Sequence, residues 1–161
     1  MSTSAPETTY VAEPGSLEAT TTAVIPAPRE DVFRCFVDPE LLPKWWAPPE
    51  LEVKIDKLAT KHGESWRILN LDEDGNEYGF RGVVHDIVPN ESVCQTFEFE
   101  GMPGHVAMQT TTFEDAGGGT RVYEQMVFQT VEDRDGMSES GMKEHAPVSM
   151  AQLTEVAQSL G

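Results

Sequence analysis

The sequence predicts an α+β domain in which an antiparallel sheet packs against a long C-terminal helix. Three observations carry this reading. Between Leu51 and Phe128 the chain alternates between apolar and polar residues in short runs separated by turn chemistry, the mark of successive strands. A compact helical pattern precedes that stretch. After it, Met142, Ala146, Met150, Leu153, Ala157 and Leu160 recur at steps of three or four, which puts them on one face of a helix.

The elements follow in order. Met1 to Ser16 is rich in Pro, Thr, Ser and Glu and reads as a disordered or extended arm, with the domain proper at residues 17–161. Leu17 to Ile25 alternates as a strand and is ended by Pro26 and Pro28. Pro28 then suits a first helical position, Glu30 and Asp31 lie at the positive end of the helix dipole, and Val32, Phe33, Phe36 and Val37 form its apolar stripe. Asp38-Pro39 repeats the start signal for a second helical turn or two, leading to Trp45-Trp46.

Strands are expected at Leu51 to Ile55, Trp66 to Leu71, Tyr78 to Val88, Val93 to Phe99, Val106 to Phe113 and Thr120 to Phe128. The separators include Asp72 to Asn76, Pro89 to Glu91, Gly101 to Gly104 and the triple glycine Gly117 to Gly119, all suited to tight turns. The acidic group Glu132, Asp133 and Asp135 is read as a solvated loop. Pro147 lacks the amide of a mid-helix bond, so a break or bend is expected between Gly141 and Val148.

The formal net charge of -17 repels phosphate backbones and anionic lipid, which argues against nucleic acid as a partner. Salt-adapted and generally acidic proteins share such an excess. No apolar run reaches the roughly 20 residues of a membrane helix, and the first residues lack the basic start and apolar core of an export signal. No membrane insertion and a cytoplasmic home are therefore expected. Cys35 and Cys94 fall in different elements with no metal or redox spacing and read as free thiols. His62, His85, His105 and His145 show no ligand spacing, and no phosphate loop, dinucleotide fingerprint or nucleophile elbow occurs. Neither a metal nor a cofactor is expected, and no catalytic centre is evident.

The order of elements, together with Pro28 to Phe33, Asp38-Pro39-Glu40, Lys44 to Pro48, Phe80-Arg81-Gly82, Ile87-Val88-Pro89 and Ser140-Gly141-Met142, resembles the AHSA-type family, named for an activator of a heat-shock-protein ATPase. This family lies within the START and birch-pollen-allergen-like (SRPBCC) superfamily. The resemblance spans roughly residues 17 to 160 and implies a helix-grip fold: a curved antiparallel sheet of about seven strands wrapped around the C-terminal helix, with two short helices after the first strand and a cavity between. It implies a pocket for a small hydrophobic molecule, or a cyclase- or aromatase-like use of that pocket, or a protein-interaction module. The partner domain of the eukaryotic chaperone activators is not seen in the chain, which argues against a chaperone partner; a homodimer is compatible with the sequence. His145-Ala146-Pro147 departs from the family, whose last helix carries glycine and a large apolar residue there.

Strand pattern nominates the cavity wall. Pairing Phe99 with Val106, and Val106 with Phe128, sets Phe97, Met108 and Met126 in one apolar row, and Gln95, Thr110 and Glu124 in a polar one. His85 joins only if Ile87 shares that face. Trp45 and Trp46, on an irregular segment, are candidates for a loop anchor or a cavity lid, and Met150 for the helical wall. Within the polar row Glu124 is the one candidate proton acceptor.

Overall fold

Strand formation starts earlier than the sequence pattern indicates. In the computed structural model, which describes residues 6–161, Thr8–Val11 forms a strand, β1. It pairs antiparallel with β2 (Glu18–Ile25), so part of the expected arm belongs to the sheet; Met1 to Ala5 lie outside the described residues. The remaining strands are β3 (Glu52–Lys57), β4 (Ser65–Leu71), β5 (Glu77–Val88), β6 (Ser92–Phe99), β7 (Val106–Ala116) and β8 (Gly119–Val127). Together they make one eight-stranded antiparallel sheet in the order β1-β2-β8-β7-β6-β5-β4-β3, one strand more than expected.

Helix α1 (Arg29–Val37) follows β2, and the expected second helix is a single 3-10 turn at Leu42–Lys44. A helix absent from the sequence reading, α2, spans Val131–Met137. Thr130 caps it by accepting the Asp133 N–H at 3.0 Å, so Glu132 and Asp133, read as loop charge, stand on the positive end of its dipole. The signal was legible as a threonine three residues before an acid. Arg134 is buried beneath α2 and donates to the Glu18 carbonyl at 3.1 Å and to Asp135, which ties this helix to β2.

Helix α3 (Lys143–Gln158) lies on the sheet and completes the helix-grip arrangement. Its Met150, Leu153, Val156 and Ala157 pack with Val32 and Phe33 of α1 and with Ile25, Phe113 and Val122 of the sheet. Two further clusters, around Trp66, Ile68 and Val84 and around Ala19, Ala107 and Met126, flank this core.

The bend falls inside the expected span, but its pivot is Gly141 rather than Pro147. Ser138–Met142 is a π-type turn in which Gly141 has φ 110° and ψ 5°, a conformation closed to residues with a Cβ. Pro147 sits one turn into α3 on its exposed side, where only the Lys143 carbonyl goes without its helical partner. Gly141→Ala should therefore cost about 1–3 kcal/mol in chemical denaturation. Unchanged stability would show that the bend does not need glycine.

Candidate functional site

A cavity of about 470 Å³ lies between the concave sheet face, the segment after α1, and the bend joining α2 to α3. Its walls are mainly aromatic and aliphatic, with a few polar groups on one side, the make-up of a small-molecule pocket.

The two adjacent indoles divide the labour. Trp45 is buried, packs on Phe36 with ring centroids 4.5 Å apart, and donates its Nε1–H to the Cys35 carbonyl at 2.9 Å. It anchors the segment to α1. Trp46 turns the other way, edge-on to Phe80 at 5.2 Å and to Trp66 at 6.5 Å. Both line the cavity, and Trp45 takes the anchor role. Cys35 is a buried thiol whose pKa burial pushes up to about 11, which suits a packing role.

Trp66 was not singled out by the sequence. It alternates with Ile68 and Asn70 on the inner face of β4, a period-two signal that a polar Asn at the third position obscured. Its indole reaches over Gly82, its cross-strand partner on β5, and donates to the Thr96 carbonyl of β6 at 3.1 Å. Phe97 stands beside it at 5.9 Å, on the cavity wall as expected, together with Met126 and Met150.

The polar side is built on β6, β7 and β8. Gln95 and Glu124 face the cavity as expected. Their partners on β7 are not the expected ones. Val106 pairs with Glu98, not Phe99, and Met108 pairs with Val127, so every β7 side chain is turned over. Met108 and Thr110 therefore lie on the outer face, Met108 being 38% exposed, and Gln109 and Thr111 take their places in the cavity. Two turns cause this. Glu98 accepts the Gly104 N–H at 2.7 Å and Arg81 at 2.9 Å, which holds the connection to residues 99–105. Gly117 and Gly118, at φ 58° and 89°, make the two-residue type I′ turn between Ala116 and Gly119. Each shifts the pairing by one residue, so the errors cancel for β6 and β8 and remain only for β7.

His85 is also outside the site. A bulge between Val84 and Asp86 lets both Val84 and Ile87 face the core and turns His85 to solvent beside His62.

The polar groups meet across β6, β7 and β8. Gln95 Nε2 donates to Gln109 Oε1 at 3.0 Å, and Gln109 lies beside the Glu124 carboxyl. Glu124 is half-buried, and the surface it keeps borders the cavity. Enclosure by protein pushes its carboxyl pKa up, opposed only by the Gln109 hydrogen bond. Asn70 is buried on the cavity wall and its Oδ1 has no partner. On the helical side His145 borders the cavity with its pKa pushed down by burial, against the opposing influence of the Trp46 backbone and Glu50. His145, Asn70, Gln109 and Thr111 were not nominated by sequence; their pairing depends on register and on the helix bend.

Among the described residues no helix is long and apolar enough to cross a membrane. Comparison with curated proteins found no match. Solved structures share the fold. A Rhodobacter sphaeroides protein is 19% identical with a TM-score of 0.86, the match covering 95% of this chain and 99% of the other. An Arthrobacter aurescens protein is 20% identical at 0.84, covering 94% and 91%. A Mycobacterium smegmatis protein is 21% identical at 0.82, covering 92% and 94%. At such identities these likenesses speak for the fold alone. Residues 26–158 match the family described as activator of Hsp90 ATPase homolog 1-like protein, and with its helix-grip architecture the chain belongs to that family.

Proposed function

We propose that the protein binds a small, largely hydrophobic molecule in the cavity between sheet and C-terminal helix, with the polar end of the ligand oriented by Glu124 and its neighbours. The observation that carries this is the cavity itself: its volume of about 470 Å³ falls within the range of small-molecule sites, and an apolar wall meets one localised polar group. Trp46, Trp66, Phe80 and Phe97 supply rigid contact surface, and Met126 and Met150 supply adaptable surface. Native mass spectrometry of protein purified from its own host, with Nile red displacement as the solution measure, tests the reading. A retained adduct, or saturable displacement by lipophilic compounds, supports it. An empty protein that takes up no apolar probe would remove it.

Glu124→Gln should weaken binding and leave the fold intact. The substitution also has a pH signature. The folded-state pKa of Glu124 lies above its ordinary value of 4.5, so ionisation opposes folding. The favourable contribution is fully present below the unfolded pKa and is lost as pH rises through the folded one. Glu124→Gln removes that loss, so the variant should be the more stable protein at neutral pH, and the difference should vanish on acidification. Denaturant midpoints of both proteins across a pH series measure this; a variant less stable at neutral pH would show that the carboxylate is a structural partner. A catalytic use of the cavity, the competing reading, would fall to the same carboxyl as proton donor or acceptor, and turnover lost in Glu124→Gln with binding retained would favour it.

A further inference from the structure

The polar side of the cavity holds a carboxyl and no cationic side chain. Thr21 on β2 and Thr111 on β7 are the direct cross-strand neighbours of Glu124, and all three border the cavity. The adjacent Gln109 has its oxygen engaged by Gln95. Among the residues lining the cavity there is no lysine or arginine, and His145 on α3 is the only other titratable side chain; the neighbours Thr21, Gln109, Thr111 and Met126 are neutral. A carboxylate enclosed without a cation is costly, and two things relieve the cost: a proton, or a positive charge brought from outside.

We infer that the cavity takes a lipophilic amine, its ammonium head held by the Glu124 carboxylate with Thr21 and Thr111 as further acceptors, and its apolar body lying along Trp46, Trp66 and Phe97. This rests on the ligand-binding reading above and adds the charge class of the ligand. An ammonium has up to three donors and no acceptor, which matches a carboxylate flanked by two hydroxyl oxygens. A ligand carboxylate would instead be set against Glu124 with no lining cation to compensate. The formal net charge of -17 acts in the same direction, drawing cations toward the molecule and repelling anions. Burial raises the Glu124 pKa, and no cation of the protein opposes that shift.

Calorimetric titration with naphthylethylamine, naphthylethanol and naphthylacetate separates the possibilities, because the apolar bodies are matched. The amine is expected to bind at least about tenfold more tightly than the alcohol, the gain of a hydrogen-bonded charge over a neutral contact, with the acetate weakest. Glu124→Gln should bring the amine to the level of the alcohol. In the wild-type protein the advantage of the amine should shrink as pH falls through the raised Glu124 range, where the carboxyl becomes neutral. An alcohol that binds as tightly as the amine overturns the inference while the cavity remains a ligand site. Absence of binding by all three, with no uptake of Nile red, overturns both. Should the variant fail to fold, the wild-type pH series decides: an amine-to-alcohol ratio that does not change with pH overturns the inference.

Discussion

Leu153→Ala is expected to destabilise the protein by about 2–5 kcal/mol, a large share of the roughly 5–15 kcal/mol that holds a typical domain folded. Leu153 is 0% exposed and lies in the middle of the α3 stripe, between Met150 and the pair Val156 and Ala157. It shares one cluster with Val32 and Phe33 of α1 and with Ile25, Phe113 and Val122 of the sheet. Walls from three separate elements cannot all close on the space left by a truncated side chain. The cost therefore combines lost burial with a residual void, and belongs in the upper part of the range. Chemical denaturation measures it through the midpoint at unchanged slope. A change under about 0.5 kcal/mol would show that the helix does not grip the sheet.

Gly82→Ala should be comparably damaging, by a different route. A Cβ at Gly82 would collide with the Thr96 carbonyl oxygen and lie 2.6 Å from Trp66 Nε1. That space is where the indole crosses β5 to reach its acceptor on β6. The methyl group must displace either the β6 backbone or the Trp66 ring, and Trp66 is only 2% exposed within the cluster of Ile68 and Val84. Overpacking and a broken buried hydrogen bond together should cost about 2–4 kcal/mol. Because Trp66 is also cavity wall, the surviving protein should lose affinity for apolar probes. A variant as stable as the wild type, with unchanged tryptophan fluorescence, would show that the indole does not depend on the glycine.

These two positions also mark how far the sequence can be read. Leu153 was legible because helical periodicity is local: residues three and four apart share a face whatever the rest of the chain does. The same holds for the α1 stripe, the strand runs and the inner faces of β6 and β8. Gly82 was legible as a motif residue, but its reason was not, since the indole it accommodates comes from another strand and its acceptor from a third.

The candidate site divides along the same line. Trp45, Trp46, Gln95, Phe97, Glu124, Met126 and Met150 border the cavity as the pattern indicated, because each follows from local periodicity or from its place after a helical turn. Met108 and Thr110 do not, because the face of β7 depends on the parity of two turns, and a shift of one residue in each turns over that strand alone. His85 was lost to a bulge, which breaks the period-two pattern without a residue type that announces it. β1 was missed because an edge strand with few apolar residues gains its partners only when β2 is already in place. The amino-acid order by itself determined the fold class, the strands from β2 to β8, the helices α1 and α3, and Glu124 as the acid facing the cavity. Only tertiary structure decided which polar groups stand beside that acid, because strand register, bulges and the bend at Gly141 depend on contacts between residues far apart in the chain.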